Sequence, residues 1–162
     1  MPDSTREELR TLMYAGKVWR ASATASISGN ASVFIGVQTS DQEIVLEGFD
    51  IITNIDDFKV IVYEGGTFSG GLLDPPLNTN RNAASEQLDA KRYVGVTVGT
   101  LGTPIYERDL FTWQNIGANL NQGETTPVTI MKNNTNYIFE LRNQTQTTGK
   151  VSTESVYSET DL

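Results

Sequence analysis

From residue 19 onward, one segment after another places an apolar residue at every second position, and this period of two restricts most of the chain to β structure. Trp19, Ala21, Ala23, Ala25 and Ile27 share one side of an extended strand, while Arg20, Ser22, Thr24 and Ser26 take the other. Ser28-Gly29-Asn30 is a turn, and Ala31, Val33, Ile35 and Val37 resume the alternation, which predicts a hairpin. Ile44 and Leu46 open a third strand whose phase shifts across Gly48 to Phe49 and Ile51, the signature of a bulge. After the turn at Asn54-Ile55-Asp56-Asp57, Phe58, Val60 and Val62 face one way and Lys59, Ile61 and Tyr63 the other. Alternation returns at Val94, Val96 and Val98, from Ile105 to Trp113, at Val128 and Ile130, through Tyr137, Phe139 and Leu141, and from Lys150 to Tyr157. Eight or nine short strands joined by polar turns predict an all-β, antiparallel sandwich, most plausibly a jelly roll.

Two stretches interrupt the pattern. Residues 65–87 are rich in Gly, Pro and Asn and read as a long loop, as does the polar segment 115–126. The division that follows is an arm over residues 1–16 and a sandwich domain over 17–162.

The arm is the one helical passage. Ser4-Thr5-Arg6-Glu7 has the form of a capping box, in which the Ser4 hydroxyl and the Glu7 carboxylate each satisfy a backbone N–H of the other residue. Glu7 and Glu8 suit the positive end of the helix dipole, and Gly16 stands where a left-handed C-cap is expected. Leu9, Leu12 and Met13 fall on one face. An isolated helix of this length is marginal in water, so that face must find a surface, on this domain or on another molecule.

Composition removes whole classes of function. The chain has no Cys and no His, which excludes disulfides, thiol nucleophiles, His-based triads and imidazole metal sites. A net charge of -8, with no basic run beyond Lys91-Arg92, argues against nucleic acid. No apolar run approaches membrane-spanning length and the first residues lack a signal-peptide core, so the expectation is no membrane and synthesis in a cytoplasm.

The remaining motifs have simpler readings beside the chemical ones. Gly65-Gly66-Thr67-Phe68-Ser69-Gly70-Gly71 lacks the Lys and Ser/Thr that make a phosphate loop work. Asp50, Asn54, Asp56 and Asp57 lack the spacing of a calcium loop and suit a solvated turn. Glu107 and Asp109 lie two apart on a strand, as a glycosidase pair could, and equally as the solvent face of any strand. Trp19, Tyr63, Trp113 and Tyr137 offer a sugar-stacking platform, against ordinary burial of aromatic area. No catalytic, metal or cofactor residue is assigned.

Several strings, in order along most of the chain, resemble the decoration or cement proteins of tailed-bacteriophage heads. They are Thr-Arg-Glu-Glu-Leu-Arg, Val-Trp-Arg-Ala-Ser, Val-Tyr-Glu-Gly-Gly-Thr-Phe-Ser-Gly-Gly, Pro-Leu-Asn-Thr-Asn-Arg-Asn and Asn-Thr-Asn-Tyr-Ile-Phe-Glu-Leu-Arg-Asn-Gln-Thr. The resemblance implies a jelly roll on the outer surface of an icosahedral capsid, commonly a homotrimer, with the major capsid protein as partner and no cofactor. It makes Arg6, Leu9, Leu12, Met13 and Tyr14 the capsid-facing arm and Asn78, Asn80, Arg81 and Asn82 a contact loop. From strand phase, Phe34, Val45, Ile61 and Ile138 lie off the main apolar tracks and are the candidate oligomer interface. The alternative is a carbohydrate-binding β-sandwich used for adhesion, on or off the virion. An enzyme acting on polysaccharide ranks below both.

Overall fold

The computed structural model describes residues 3–111 and 129–160. Helix α1 (Asp3–Tyr14) is followed by β1 (Val18–Ile27), β2 (Ser32–Thr39), β3 (Ile44–Thr53) and β4 (Asp57–Glu64). Then come β5 (Thr67–Ser69), β6 (Leu72–Leu73), β7 (Leu77–Asn78), a 3-10 turn (Arg81–Ala83), β8 (Ala90–Val94) and β9 (Thr97–Thr100). The chain continues with β10 (Thr103–Phe111), β11 (Thr129–Met131), β12 (Asn136–Asn143) and β13 (Gly149–Glu159).

Two antiparallel sheets face each other, one in the order β11-β3-β13-β1-β7 and the other β10-β4-β12-β2-β8-β6. The pairing has a simple logic. The first long strand pairs with the last (β1 with β13), β2 with β12, β3 with β11 and β4 with β10. This is a long hairpin rolled up so that successive strands alternate between the sheets, the jelly roll that the alternation predicted. Everything from Gly65 to Gly102 is inserted at the tip of that rolled hairpin. It is not loop throughout: β5 and β9 form a separate two-stranded ribbon, β6 extends one sheet and β7 the other.

Alternation becomes burial as expected. Trp19, Phe58, Val60, Tyr137, Phe139, Leu141 and Tyr157 meet in one core between the sheets, with the Phe49 and Phe139 ring centroids 4.9 Å apart. The phase shift in β3 is a bulge, since Gly48 pairs with Val156 and Leu46 with Tyr157.

Three local expectations are corrected. The turn at Ser28-Gly29-Asn30 does not close a hairpin: β1 and β2 lie in different sheets, and the turn carries the chain between them. It is held against the 143–147 loop, where Asn30 N donates to Thr145 O and a Cβ on Gly29 would sit 2.2 Å from Gln146 O. Val94, Val96 and Val98 are not one strand, because Gly95 at φ 72 turns the chain from β8 into the ribbon. Ser4 lies inside α1 instead of capping it, since the helix already includes Asp3. The 115–126 segment and Trp113 fall outside the described residues.

Candidate functional site

The helix is capped at its C-terminus and then tied down by side chains. Gly16 at φ 75 lets its N–H donate to Met13 O (3.1 Å) and that of Lys17 to Leu12 O (2.8 Å), the two bonds of a Schellman motif. A Cβ on Gly16 would also meet the Ala83 Cβ at 2.8 Å, so glycine is required twice over. Asn78, only 3% exposed, donates from Nδ2 to Gly16 O at 2.7 Å, and Asn80 donates from Nδ2 to Tyr14 O at 2.9 Å. The same two residues brace each other and the turn that follows: Asn80 N donates to Asn78 Oδ1, and Asn82 N to Asn80 Oδ1. They form a collar around the helix exit.

N-terminal to this collar the helix lies outside the core. None of the side chains from Glu7 to Ala15 is buried. Leu9 and Leu12 are half-buried, Met13 is 36% exposed and Tyr14 73%, with the Arg10 guanidinium 5.8 Å from the Tyr14 ring centroid. The side chain of Arg6 lies outside the described residues. An apolar helical face thus stands at the surface on a fixed base.

Half of the expected contact loop is engaged within the molecule. Asn78 and Asn80 spend their amide groups inside the molecule, whereas Arg81 and Asn82 are exposed. Asn-x-Asn two residues beyond Pro75-Pro76 is a signal of side chain to backbone bonding that sequence alone could have offered.

The oligomer candidates are corrected as well. Ile138 is fully buried and Ile61 is 5% exposed; with Tyr63 they form a second apolar cluster on the outer side of the β4-β12-β2 sheet. The β5-β9 ribbon covers it as a flap, with Phe34, Phe68 and Val98 packed around it. Gly36 provides the seat, since a Cβ there would sit 2.6 Å from the Phe68 ring. These residues do point away from the sandwich core, as their phase indicates, but the chain's own insertion occupies them. Val45 is 7% exposed, beside Ser158 and Ile130 on the other sheet, and is not a free surface either.

Next to the flap lies a charged network. Glu140, 4% exposed, accepts from the Tyr63 hydroxyl (2.9 Å), the Ser32 hydroxyl (2.7 Å) and Arg142 Nε (2.9 Å). Burial pushes its carboxyl up, but the bonds from Arg142, Ser32 and Tyr63 outweigh this and hold it below the usual carboxylate range. Burial, then the bond to Glu140, pushes Tyr63 up to about 12. On the neighbouring strand, Lys59 Nζ stands between Glu107 (2.6 Å) and Asp109 (3.5 Å). The Glu107 bond leads in raising the Lys59 pKa. A carboxylate held ionised by three donors is a poor general acid. The contacts link residues of β2, β4, β10 and β12.

The aromatic platform does not assemble from the described residues. Trp19 is 1% exposed with Nε1 donating to Glu86 O, Tyr137 is 1% exposed, and Tyr63 lies under the flap. Oxygens of the Asp50–Asp57 turn are engaged too: Asn54 Oδ1 accepts from Lys150 N and Asp57 Oδ1 from Gln144 Nε2. No helix among the described residues is long and apolar enough to cross a membrane.

No protein-family model and no curated protein matches this chain. Among solved structures it is similar to a Yersinia pseudotuberculosis-derived mitogen, at 12% identity over 88% of this chain and 87% of that one, with a TM-score of 0.34. It is also similar to a 60-mer BFDV capsid protein, at 10% identity over 88% and 91% of the two chains, with a TM-score of 0.19.

Proposed function

We propose that this protein is a structural virion component that attaches to the outside of an icosahedral phage head and stabilises the shell, with α1 as the attaching element and the major capsid protein as partner. The observation that carries the reading is the helix itself. It is firmly capped and collared at one end, yet its apolar residues are only partly covered by the domain that holds it. A helix of this kind gains its stability on a partner's surface. Full burial of Leu9, Leu12 and Met13 would contribute roughly 1.5–3 kcal/mol each before ordering costs are subtracted. A homotrimer on the shell would multiply that surplus through effective concentration. The reading needs neither catalysis nor a cofactor.

The test is co-sedimentation with phage heads that lack the protein. Saturable binding at a stoichiometry fixed by the lattice is expected, and the double variant Leu9→Asp/Leu12→Asp should lose it while keeping the unfolding midpoint of the unmutated protein. Binding that is unchanged in the double variant, or absent in the unmutated protein, would overturn the reading.

A further inference from the structure

The open edges of the two sheets are not guarded alike. A bare row of strand N–H and C=O groups is a template for any strand it meets, and native proteins blunt such rows with charge, proline or a bulge. β10 carries Pro104, a register break between Pro104 and Tyr106, and then Glu107, Arg108 and Asp109. β3, beside β11 only from Ile44 to Leu46, carries Glu47, Asp50 and the bulge at Gly48. β6 and β7 are very short, with Pro75-Pro76 between them. β1 is the exception. β7 covers it only at Trp19 and Arg20, and from Ala21 to Ile27 no strand among the described residues lies on that side. The stretch has no charge, no proline and an unbroken register with β13.

The ladder shows which groups form the free row. Val18 O accepts from Thr79 N on the β7 side, and residues two apart in a strand aim their main-chain groups the same way, so Ser22, Thr24 and Ser26 aim theirs outward. Ala21 and Ala23 aim theirs toward β13, where their carbonyls also accept from the Ser155 and Thr153 hydroxyls at 3.4 Å. The side chains of Ser22, Thr24 and Ser26 are exposed, while Ala23 and Ala25 are half-buried against the core, as are Ala31 and Val33. An open, uncharged strand edge therefore runs beside a seam of small apolar residues.

We propose that this edge binds the same edge of a second copy of the chain, β1 against β1, antiparallel about a two-fold axis beside Thr24. The occupant follows from the symmetry. A charge near a two-fold axis meets its own sign, and this strand has no charge to oppose. Its pattern also matches itself when reversed: Thr24 faces Thr24 of the second copy, Ser22 faces Ser26, Ala23 faces Ala25 and Ala21 faces Ile27. In that register the outward groups of Ser22, Thr24 and Ser26 meet as hydrogen-bonded pairs, and hydroxyl stands against hydroxyl as Thr24 and Ser152 already do at 3.0 Å. A single strand pair makes a small, reversible contact. It uses neither the arm nor a three-fold contact and goes beyond the capsid reading; either can fail without the other.

Light scattering on the unmutated protein from about 10 µM to about 0.5 mM covers the range in which a weak strand contact becomes populated. The mass is expected to rise with concentration toward double its starting value. Thr24→Lys and Thr24→Asp, at an exposed position, should each hold it at the starting value, and an equimolar mixture of the two variants should restore the rise. Amide exchange reads the same contact independently. In the unmutated protein the Ser22, Thr24 and Ser26 amides should exchange about tenfold more slowly at the upper concentration, and in Thr24→Lys equally fast at both. If the Thr24 variants do not fold, exchange in the unmutated protein decides. A mass that does not change with concentration, a rise that survives Thr24→Lys, or a mixture that stays dissociated would each overturn the proposal. So would protection of these amides that appears only when phage heads are added, which would assign the edge to a strand of the shell.

Discussion

Helix α1 and the β5-β9 flap are both short appendages of the same jelly roll, and they are treated in opposite ways. The flap lays Phe68 onto Gly36 and seals Ile61, Tyr63 and Ile138 beneath it. The helix is anchored just as specifically, through Gly16, Asn78 and Asn80, yet from Glu7 to Ala15 it buries no side chain. Anchoring and covering are therefore separate properties: the collar fixes where the helix starts from the body, and leaves open what lies along it.

The largest effect that can test this contrast is expected under the flap. Ile138→Asp places an unpaired carboxylate in a fully buried apolar site and should cost about 4 kcal/mol or more, read as a collapse of the denaturant midpoint. A surface exchange of that kind would shift stability by only a few tenths, so a mild result would mean that the flap is open in solution.

The collar comes next. Asn78→Ala leaves the Gly16 carbonyl and the Asn80 N–H without their partner, one of them in a buried position, and should cost about 1–3 kcal/mol. Deleting residues 1–13 instead keeps the Tyr14 and Gly16 carbonyls for Asn80 and Asn78, and should change the unfolding free energy by less than about 1 kcal/mol. A cut through Gly16 should behave more like Asn78→Ala than like the shorter deletion. If removal of 1–13 costs several kcal/mol, the helix is part of the domain's own packing and the contrast with the flap disappears.

The smallest effect is that of pH near neutrality. The Lys132 bond leads in holding Glu64 below the usual carboxylate range, and Glu140 is held there by its three donors. Their contribution is present above about pH 4.5 and is lost as pH falls through their folded values. Burial raises Tyr63 and Tyr137 to about 12, so their contribution is present below about pH 10 and is lost as pH rises toward 12. With no His or Cys in the chain, the midpoint should stay flat from about pH 5.5 to 8. The protein lacking residues 1–13 should show the same profile, because every one of these groups belongs to the sandwich. A steep change between pH 6 and 7.5 would reveal a strongly shifted carboxylate elsewhere.

Strand phase was readable because it is local. The two faces of β1 and β4 are visible in the order of their residues, and the glycine after Ala15 announces the end of the helix with equal clarity. What covers a face is not local. Phase shows that Ile61 and Ile138 turn away from the core, but their cover comes from Phe68, in a glycine-rich stretch, and Val98, whose alternation with Val94 and Val96 gave no sign of the turn at Gly95. The same limit hid the change of sheet after β1, since a turn sequence specifies a reversal and not the partner strand. Asn78 was singled out, but as a contact residue; its bond to a backbone oxygen 62 residues away, and the burial of Arg92 against its type, were not legible for a related reason.

The rolled pairing of first strand with last has a consequence in time. Ala21 and Ser155, whose strands lie side by side, are 134 residues apart in sequence. A ribosome releases β1 long before β13 exists and β2 long before β12, and only the short β7 and β8 of the insertion reach them earlier. Until then β1 has only the short β7 beside it, paired at Trp19 and Arg20. Such distant closures fold slowly and leave strand edges open to wrong partners. The β5-β9 ribbon, whose strands are close in sequence, should pair early, and the sheet of β1 and β13 should close last. The alternating Arg20, Ser22, Thr24 and Ser26, beside alanines in place of larger residues, give the waiting strand a weak stickiness suited to that delay.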